Sequence, residues 1–197
     1  MLLDLCLNDI DFDKVPVTCY SSRGSPFTRW IGVGMPRVPD KVLNCTFYLY
    51  ESKKAAEQGE AYGGTGFLVT VLSQRFSDIA GSHSVYAVTN RHVAVRGGFS
   101  VIRINTYEGV EIFETDPSDW TVHPDGDDIA VFPLLLANPR NKGAVGIAPG
   151  AFGTKEQLAE LDIGVGDNVF MIGRFVDHDG GPVNRPAARF GNISGAV

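Results

Sequence analysis

The sequence predicts an all-β protein whose strands before residue 137 suffice for a small β-barrel. The chain has 197 residues, enough for one large domain or two small packed halves. Its 23 glycines and 11 prolines fit many short strands joined by turns better than a helical bundle. About six or seven candidate strands precede residue 137, and that number suffices to close a small barrel.

The first segment, residues 1–41, has little periodicity and is divided by prolines and glycines into short extended pieces. We expect it to be an arm packed on the surface of the first barrel, which is assigned to residues 42–137. The aromatic, β-rich run Val42–Tyr50 is predicted to be the first strand of that barrel. The charged connection Glu51–Tyr62 fits a helical turn and a solvated hairpin loop equally well.

The stretch Gly63–Val95 is central to the prediction. Apolar and β-branched residues run through Thr65–Leu72 and indicate a strand buried on both faces. The glycines at its entry leave room for a close neighbour. A second strand, Ser84–Thr89, ends just before His92, which we expect in a tight turn. A histidine at such a sheet edge can point into a cleft while the sheet holds its backbone.

Four further segments complete the predicted first barrel. They are strand-like runs separated by turn signals: Phe99–Thr106, Val110–Thr115, Trp120–Val122 and Ile129–Leu136. Asp128 directly precedes the last of them, 36 residues after His92. A histidine ending one strand and a carboxylate beginning a later one match the base and orienting group of a Ser-His-Asp system. We therefore expect an oxygen of Asp128 within hydrogen-bond reach of the His92 ring.

Three motifs occur in order: GTGFLV, then AVTNRHV, then DDIAVF. Together they resemble the amino-terminal half of trypsin-like serine peptidases, closest to the bacterial branch without disulfides. The resemblance covers about Val42 to Val197 and implies the double β-barrel fold of that family. It also implies that His92 is the general base and Asp128 the orienting carboxylate. Asp127 is the second candidate, and Asp128 is preferred because it directly precedes Ile-Ala-Val, as in the family.

Residues 138–197 are predicted to hold a linker, a short helix and part of a second barrel. The linker is rich in glycine, proline and asparagine, and Thr154–Leu161 has the N-cap and apolar repeat of a helix. Gly164–Gly173 and Pro186–Val197 resemble the first two strands of the family's second barrel, with the polar hairpin loop Arg174–Arg185 between them. Two strands are too few to close a barrel.

No segment matches the G-[DN]-S-G-G-type loop that carries the serine nucleophile in this family. Ser194 is the one late candidate, but Asn192 stands where the oxyanion hole needs a glycine. We expect Ser194 to be an ordinary strand residue. The chain is then either a carboxy-terminally truncated serine endopeptidase, which we prefer, or a catalytically inactive trypsin-like module that binds a protein partner. The chain as given is expected to be inactive.

The resemblance implies that the partner is a polypeptide substrate or another protein, and the composition argues against two other classes of partner. A net charge of −6 and a pI near 5.1 do not support binding to nucleic acid or to an anionic membrane. The sequence contains no signal peptide pattern and no apolar run long enough for a transmembrane helix. Three cysteines are an odd, sparse set that favours reduced thiols and a cytoplasmic location.

No cofactor or metal is expected. The aspartates after His123 do not form an EF-hand loop, because the position that requires glutamate is occupied by Leu136. The cysteine spacing does not match a zinc site either. The sequence leaves the oligomeric state and the cleavage preference open.

Overall fold

The computed structural model describes residues 38, 40–60, 62–72, 83–136, 143, 144, 146–174 and 181–195. Nine strands lie in these residues: β1 Thr46–Tyr50, β2 Tyr62–Leu72, β3 His83–Thr89, β4 Val101–Thr106, β5 Gly109–Phe113, β6 Thr121–Val122, β7 Ala130–Leu134, β8 Asn168–Gly173 and β9 Ala187–Asn192. Three short helices accompany them: α1 Asp40–Leu43, α2 Lys53–Gln58 and α3 Lys155–Glu160. None of the described helices is both long and apolar enough to cross a membrane. The predicted arm, residues 1–41, lies almost entirely outside the described residues.

The strands form two antiparallel sheets. The larger sheet has seven strands in the order β5-β4-β1-β2-β3-β7-β6, and the smaller consists of β8 and β9. Every strand pair is antiparallel. The predicted all-β class is therefore confirmed at this level, because sheets dominate and the helices are short.

The larger sheet curves strongly. Trp120 donates from Nε1 to Thr115 Oγ1 at 2.9 Å, just beyond β5, and its ring lies 5.7 Å from the ring of Phe132 on β7. In a flat sheet β5 and β7 would be five strand spacings, about 24 Å, apart. One indole cannot span that distance, so the two ends of the sheet bend toward each other. The concave side encloses the main apolar cluster, which includes Phe47, Leu68 and Ile102.

The predicted closed first barrel is not seen in the described residues. The sheet order ends at β5 on one side and at β6 on the other, with no ladder between them. The intervening residues explain this. Asp116 and Asp119 form a local turn, in which Asp119 N–H donates to Asp116 O at 2.9 Å and Asp119 Oδ2 accepts from Asp116 N–H at 2.8 Å. Backbone groups used in this turn are not available to continue a strand.

One predicted strand begins later in the structure, and an open alternative is decided. Val42–Tyr50 was expected to be one strand, but the chain is helical through Leu43 and β1 begins only at Thr46. Of the two alternatives for Glu51–Tyr62, the helix is present as α2. Ser52 caps its start by accepting from Ala55 N–H at 3.2 Å. The predicted helix near Thr154 is confirmed as α3, with a capping box between Thr154 and Gln157.

Strand β1 is buried on both faces. Phe47 and Leu49 belong to the main core. Tyr48 and Tyr50 belong to a second cluster, in which they pack with Ala55 and Ala56 of α2. Burial raises the pKa of the Tyr48 hydroxyl to about 12. The helix is needed because it covers an apolar face of the sheet that would otherwise be solvated.

Arg103 of β4 is completely buried between this second cluster and residues 181–184. Its guanidinium lies 4.8 Å from the centre of the Tyr50 ring. Nε donates to Asn184 Oδ1 at 2.8 Å, and Nη1 donates to the carbonyls of Ala56 at 2.8 Å and Gly181 at 3.2 Å. Asn184 Nδ2 donates back to the Arg103 carbonyl at 2.7 Å. One side chain thus ties α2 and a distant loop to the larger sheet.

Gly59, the C-cap of α2, is part of the same arrangement. Its φ of 73° lies in the left-handed region, and a Cβ there would stand 2.6 Å from Gly181 O. Only glycine satisfies both conditions, so the loop reaches Arg103 because the helix ends in glycine.

Replacing Arg103 by methionine is expected to lower the free energy of unfolding by about 2–4 kcal/mol, because the buried acceptors lose their donors. Urea unfolding measures this change. Lys54→Met, an exposed cation on α2, is the matched control and is expected to change stability by less than about 0.5 kcal/mol. Equal effects of both variants would contradict the role given to Arg103.

The β8–β9 hairpin carries apolar side chains that remain open to solvent. Phe170 and Phe190 face each other across the strands with ring centroids 6.1 Å apart, and they are 43% and 46% exposed. On the opposite face Val169 is 41% and Met171 63% exposed. Apolar residues exposed on both faces of a two-stranded sheet favour association.

Changing Val169 and Met171 together to threonine is expected to reduce binding of the dye ANS and light scattering on concentration. The unfolding midpoint should change little, because these side chains contribute little buried area. Lys155→Thr serves as the exposed polar control. Unchanged dye binding in the double variant would mean that this face is covered in solution.

Candidate active site

The register between β3 and β7 brings the predicted site residues together. Thr89 is the last residue of β3 and pairs with Ala130, the first residue of β7. The same register continues for two more residues, because Arg91 N–H donates to Asp128 O at 3.3 Å. His92 and Asp128 are therefore neighbours across the end of a strand pair, although 36 residues separate them in the chain.

His92 begins a single wide helical turn, His92–Arg96, that follows β3. The turn is closed by a hydrogen bond from Gly97 N–H to His92 O at 2.9 Å, the five-residue spacing of a π-turn. The side chain of Val93, the second residue of this turn, packs on β2. A Cβ at Gly64 of β2 would lie only 2.9 Å from Val93 Cγ1. A side chain at Gly63 would overlap Phe99. Gly64 thus makes room for the turn that carries His92, and Gly63 makes room for Phe99, which follows that turn.

The carboxylate of Asp128 is held by three donors from two residues. Oδ1 accepts from His92 N–H at 2.8 Å, and Oδ2 makes a short contact with His92 Nδ1. Oδ2 also accepts from Asn90 Nδ2 at 3.2 Å. The expected contact between Asp128 and the His92 ring is present. Sequence reasoning missed Asn90, whose only signal was its position between the strand and the histidine.

Asp127, the second candidate for the orienting role, lies elsewhere. Its Oδ2 is 3.5 Å from His123 Nδ1, four residues back in the chain. The two adjacent aspartates therefore lie beside different histidines, because the chain turns at Asp128, where Ile129 N–H donates to Asp127 O at 2.8 Å. This arrangement leaves Asp128 as the carboxylate of His92.

The electrostatics of the pair determine which ring nitrogen acts as a base. The His92 ring hydrogen bond, then the His92 backbone N–H and Asn90, lower the pKa of the Asp128 carboxyl below its ordinary value. Asp128 is thus ionised at neutral pH and can only accept, so His92 Nδ1 carries its proton. The lone pair of the neutral ring is then on Nε2. The His92 and Asp128 side chains are 60% and 49% exposed, so that lone pair can be reached from solvent.

The described residues show no nucleophile joined to this pair. Ser194 follows the end of β9, and no hydrogen bond connects it to His92 or Asp128 within the described part of the chain. Cys45 is buried, donates to Val42 O at 2.8 Å, and has a thiol pKa that burial raises. A buried, protonated thiol is a poor nucleophile. Cys6 and Cys19 lie outside the described residues.

No group of three or more His, Cys, Asp or Glu side chains suited to a metal ion occurs in the residues that the structure describes. Comparisons with protein family models, with curated proteins and with solved structures find no match to this chain. The arrangement of His92, Asp128 and Asn90 must therefore be interpreted from its own chemistry.

The lowered pKa of Asp128 predicts an acid dependence of stability. A carboxyl with a lower pKa in the folded state stabilises the fold above its unfolded value, about 3.9. That contribution is lost as the pH falls through the lower folded-state value. Urea unfolding between about pH 2 and pH 6 should therefore show the difference between wild type and Asp128→Asn shrinking toward low pH.

His92→Ala is the control background for this measurement. It removes the largest cause of the shift, so Asp128→Asn made in that background should show a weaker acid dependence. An identical pH dependence in both backgrounds would show that the ring does not bind the carboxylate in solution.

Proposed function

We propose that this chain carries the general base and the orienting carboxylate of a trypsin-like serine endopeptidase. The observation that carries the proposal is the Asp128 carboxylate, which binds both the backbone N–H and the ring Nδ1 of His92. Two bonds to one residue fix the imidazole plane as well as its tautomer. A structural surface ion pair needs neither, whereas proton transfer depends on both.

In the proposed reaction, His92 Nε2 accepts the proton of a serine hydroxyl as its oxygen attacks the carbonyl carbon of a peptide bond. The ring becomes an imidazolium, and the ionised Asp128 stabilises that charge without taking the proton. The imidazolium then gives the proton to the leaving amine, and a second cycle with water releases the acyl group. His92 carries the proton in these steps and Asp128 stabilises the charged ring, so no cofactor is required.

The fold proposed for this function is the double barrel implied by the resemblance of the sequence. Two features support it: the curvature of the seven-stranded sheet, and the separate β8–β9 hairpin, which the proposal assigns to the start of a second barrel. Arg174 N–H donates to Thr65 Oγ1 at 3.0 Å and links that hairpin to β2. Thr65 O in turn accepts from Thr89 Oγ1 at 3.3 Å, three residues before His92. The hairpin therefore meets the larger sheet near the proposed site.

A second function is a catalytically inactive trypsin-like module that binds a protein partner. It is favoured by Asn192, whose side chain donates to Gly166 O and Asn168 Oδ1 at 3.0 Å each and so closes the hairpin end. An oxyanion hole needs a glycine at this position, so that its backbone N–H is accessible. Asn192, whose side chain is bonded within the hairpin, does not meet this requirement. The cytoplasmic location expected from the sequence is part of both proposed functions.

We predict that the 197-residue chain gives no measurable peptidase or esterase turnover and is not labelled by a serine-directed phosphonate. The reason is chemical: a base without a nucleophile has nothing to acylate. Gel-based detection of the probe checks this, and Ser194→Ala should behave as wild type. Labelling that disappears in Ser194→Ala would instead make Ser194 the nucleophile.

The codons that follow Val197 in the gene separate the two functions. If they encode a glycine-rich serine loop in frame, the longer chain should be labelled, and His92→Ala should abolish labelling. A stop codon directly after Val197, together with the absence of labelling, would favour the inactive module. A longer chain with that loop that is labelled equally well in His92→Ala would refute the role of His92 as base.

A further inference from the structure

Asn90 lies between the end of β3 and His92, and its side chain reaches Asp128 at two places. Nδ2 donates to Asp128 Oδ2 at 3.2 Å and to Asp128 O at 3.3 Å. Both neighbours are oxygens that accept, so the NH₂ end of the amide must face them. The residue is exposed, which means that these bonds compete with water and persist only because the backbone aligns them.

The backbone and the side chain of Asn90 do different work. Its carbonyl accepts from Val93 N–H at 3.1 Å and Ala94 N–H at 3.2 Å and starts the wide turn. Any residue with the same backbone can supply that carbonyl. In the described part of the chain the side chain of Asn90 bonds only to Asp128. Changing the side chain therefore tests its effect on Asp128 without removing the turn.

The effect on the carboxylate follows from counting its donors. Without Asn90, Oδ1 keeps the His92 N–H, and Oδ2 keeps only the Nδ1–H of a ring that is itself 60% exposed. A half-exposed carboxylate with one fixed donor can rotate and exchange its oxygens with water. The amide of Asn90 fixes Oδ2 from a second direction, and its second bond to Asp128 O anchors the amide on the same residue.

We propose that Asn90 is a positioning residue that holds the Asp128 carboxylate in the orientation in which it binds the His92 ring. Its purpose in proton transfer rests on the proposed function, whereas the positioning itself can be tested without activity. The lowered pKa of Asp128, to which Asn90 contributes after His92, agrees with this geometry.

Other charged groups surround the pair and are the same in every variant used to test the proposal. They are Arg91 and Arg96 on the turn, Asp127 beside Asp128, His123 with Nδ1 3.5 Å from Asp127 Oδ2, and Asp116 and Asp119 on the short turn packed against His92–Arg96. Because none of them changes, a difference between variants at position 90 reports the amide alone.

The test is a carbon NMR titration of the Asp128 carboxyl in the full chain, with the resonance assigned by its loss in Asp128→Asn. Two variants are compared, Asn90→Ala and the nearly isosteric Asn90→Leu. Each removes the donor, so each should raise the Asp128 pKa in the same direction toward its ordinary value. Asn192→Ala, which removes a side-chain amide from the β8–β9 hairpin, should leave it unchanged.

A second readout uses wild type. The side-chain amide resonances of Asn90 should shift with the same midpoint as the Asp128 carboxyl and should lose that titration in Asp128→Asn. This measurement keeps the proposal testable if either variant fails to fold, which thermal unfolding would reveal.

Three results would overturn the proposal. They are an unchanged Asp128 pKa in both folded variants, a shift in Asn90→Ala but not in Asn90→Leu, which would indicate packing, and an Asn90 amide that ignores the titration of Asp128. None of these outcomes involves a nucleophile. Absence of phosphonate labelling in the longer chain would therefore count against the peptidase and leave the positioning role of Asn90 intact.

Discussion

The antiparallel pairing of β3 with β7 is the constraint on which the candidate site depends. Its register continues past Thr89 and Ala130 to the bond between Arg91 N–H and Asp128 O. A shift by one residue would turn every side chain of one strand to the other face and would bring Asp127 to the position of Asp128. Two rigid strands thus hold a histidine and a carboxylate together more precisely than two loops would.

A second constraint acts on the opposite side of the sheet. Arg103 has no exposure to solvent, and its Nε and Nη1 donate to the side-chain oxygen of Asn184 and to the carbonyls of Ala56 and Gly181. Asn105 and Asn184 add two bonds of 2.8 Å between the same segments. Burying an arginine is costly unless its donors are paired, so this network specifies one position for residues 181–184. These residues lie in the connection between β8 and β9, so the network ties that connection to the larger sheet.

The site is exposed to solvent, and the pKa of Asp128 depends more on hydrogen bonds than on burial. The two hydrogen bonds from His92 are the largest causes and lower the pKa of Asp128, while desolvation opposes them and Asn90 adds a smaller lowering. An ionised, well-oriented carboxylate makes His92 Nε2 available as a base. Completing a peptidase requires a nucleophile and an oxyanion hole beside that nitrogen, and the described residues supply neither.

Sequence alone determined the strand content, the capped helix α3, and His92 and Asp128 as a candidate pair. The strands and the helix follow from local signals, because alternation, caps and turn residues act within a few positions, whereas the pair was predicted from the order of three motifs. Tertiary structure decided the rest. Helix α2 prevailed over a loop because Ala55 and Ala56 cover Tyr48 and Tyr50. The burial of Arg103, the contact of Asn90 with Asp128 and the open edge between β5 and β6 depend on residues distant in the chain, for which no local pattern exists.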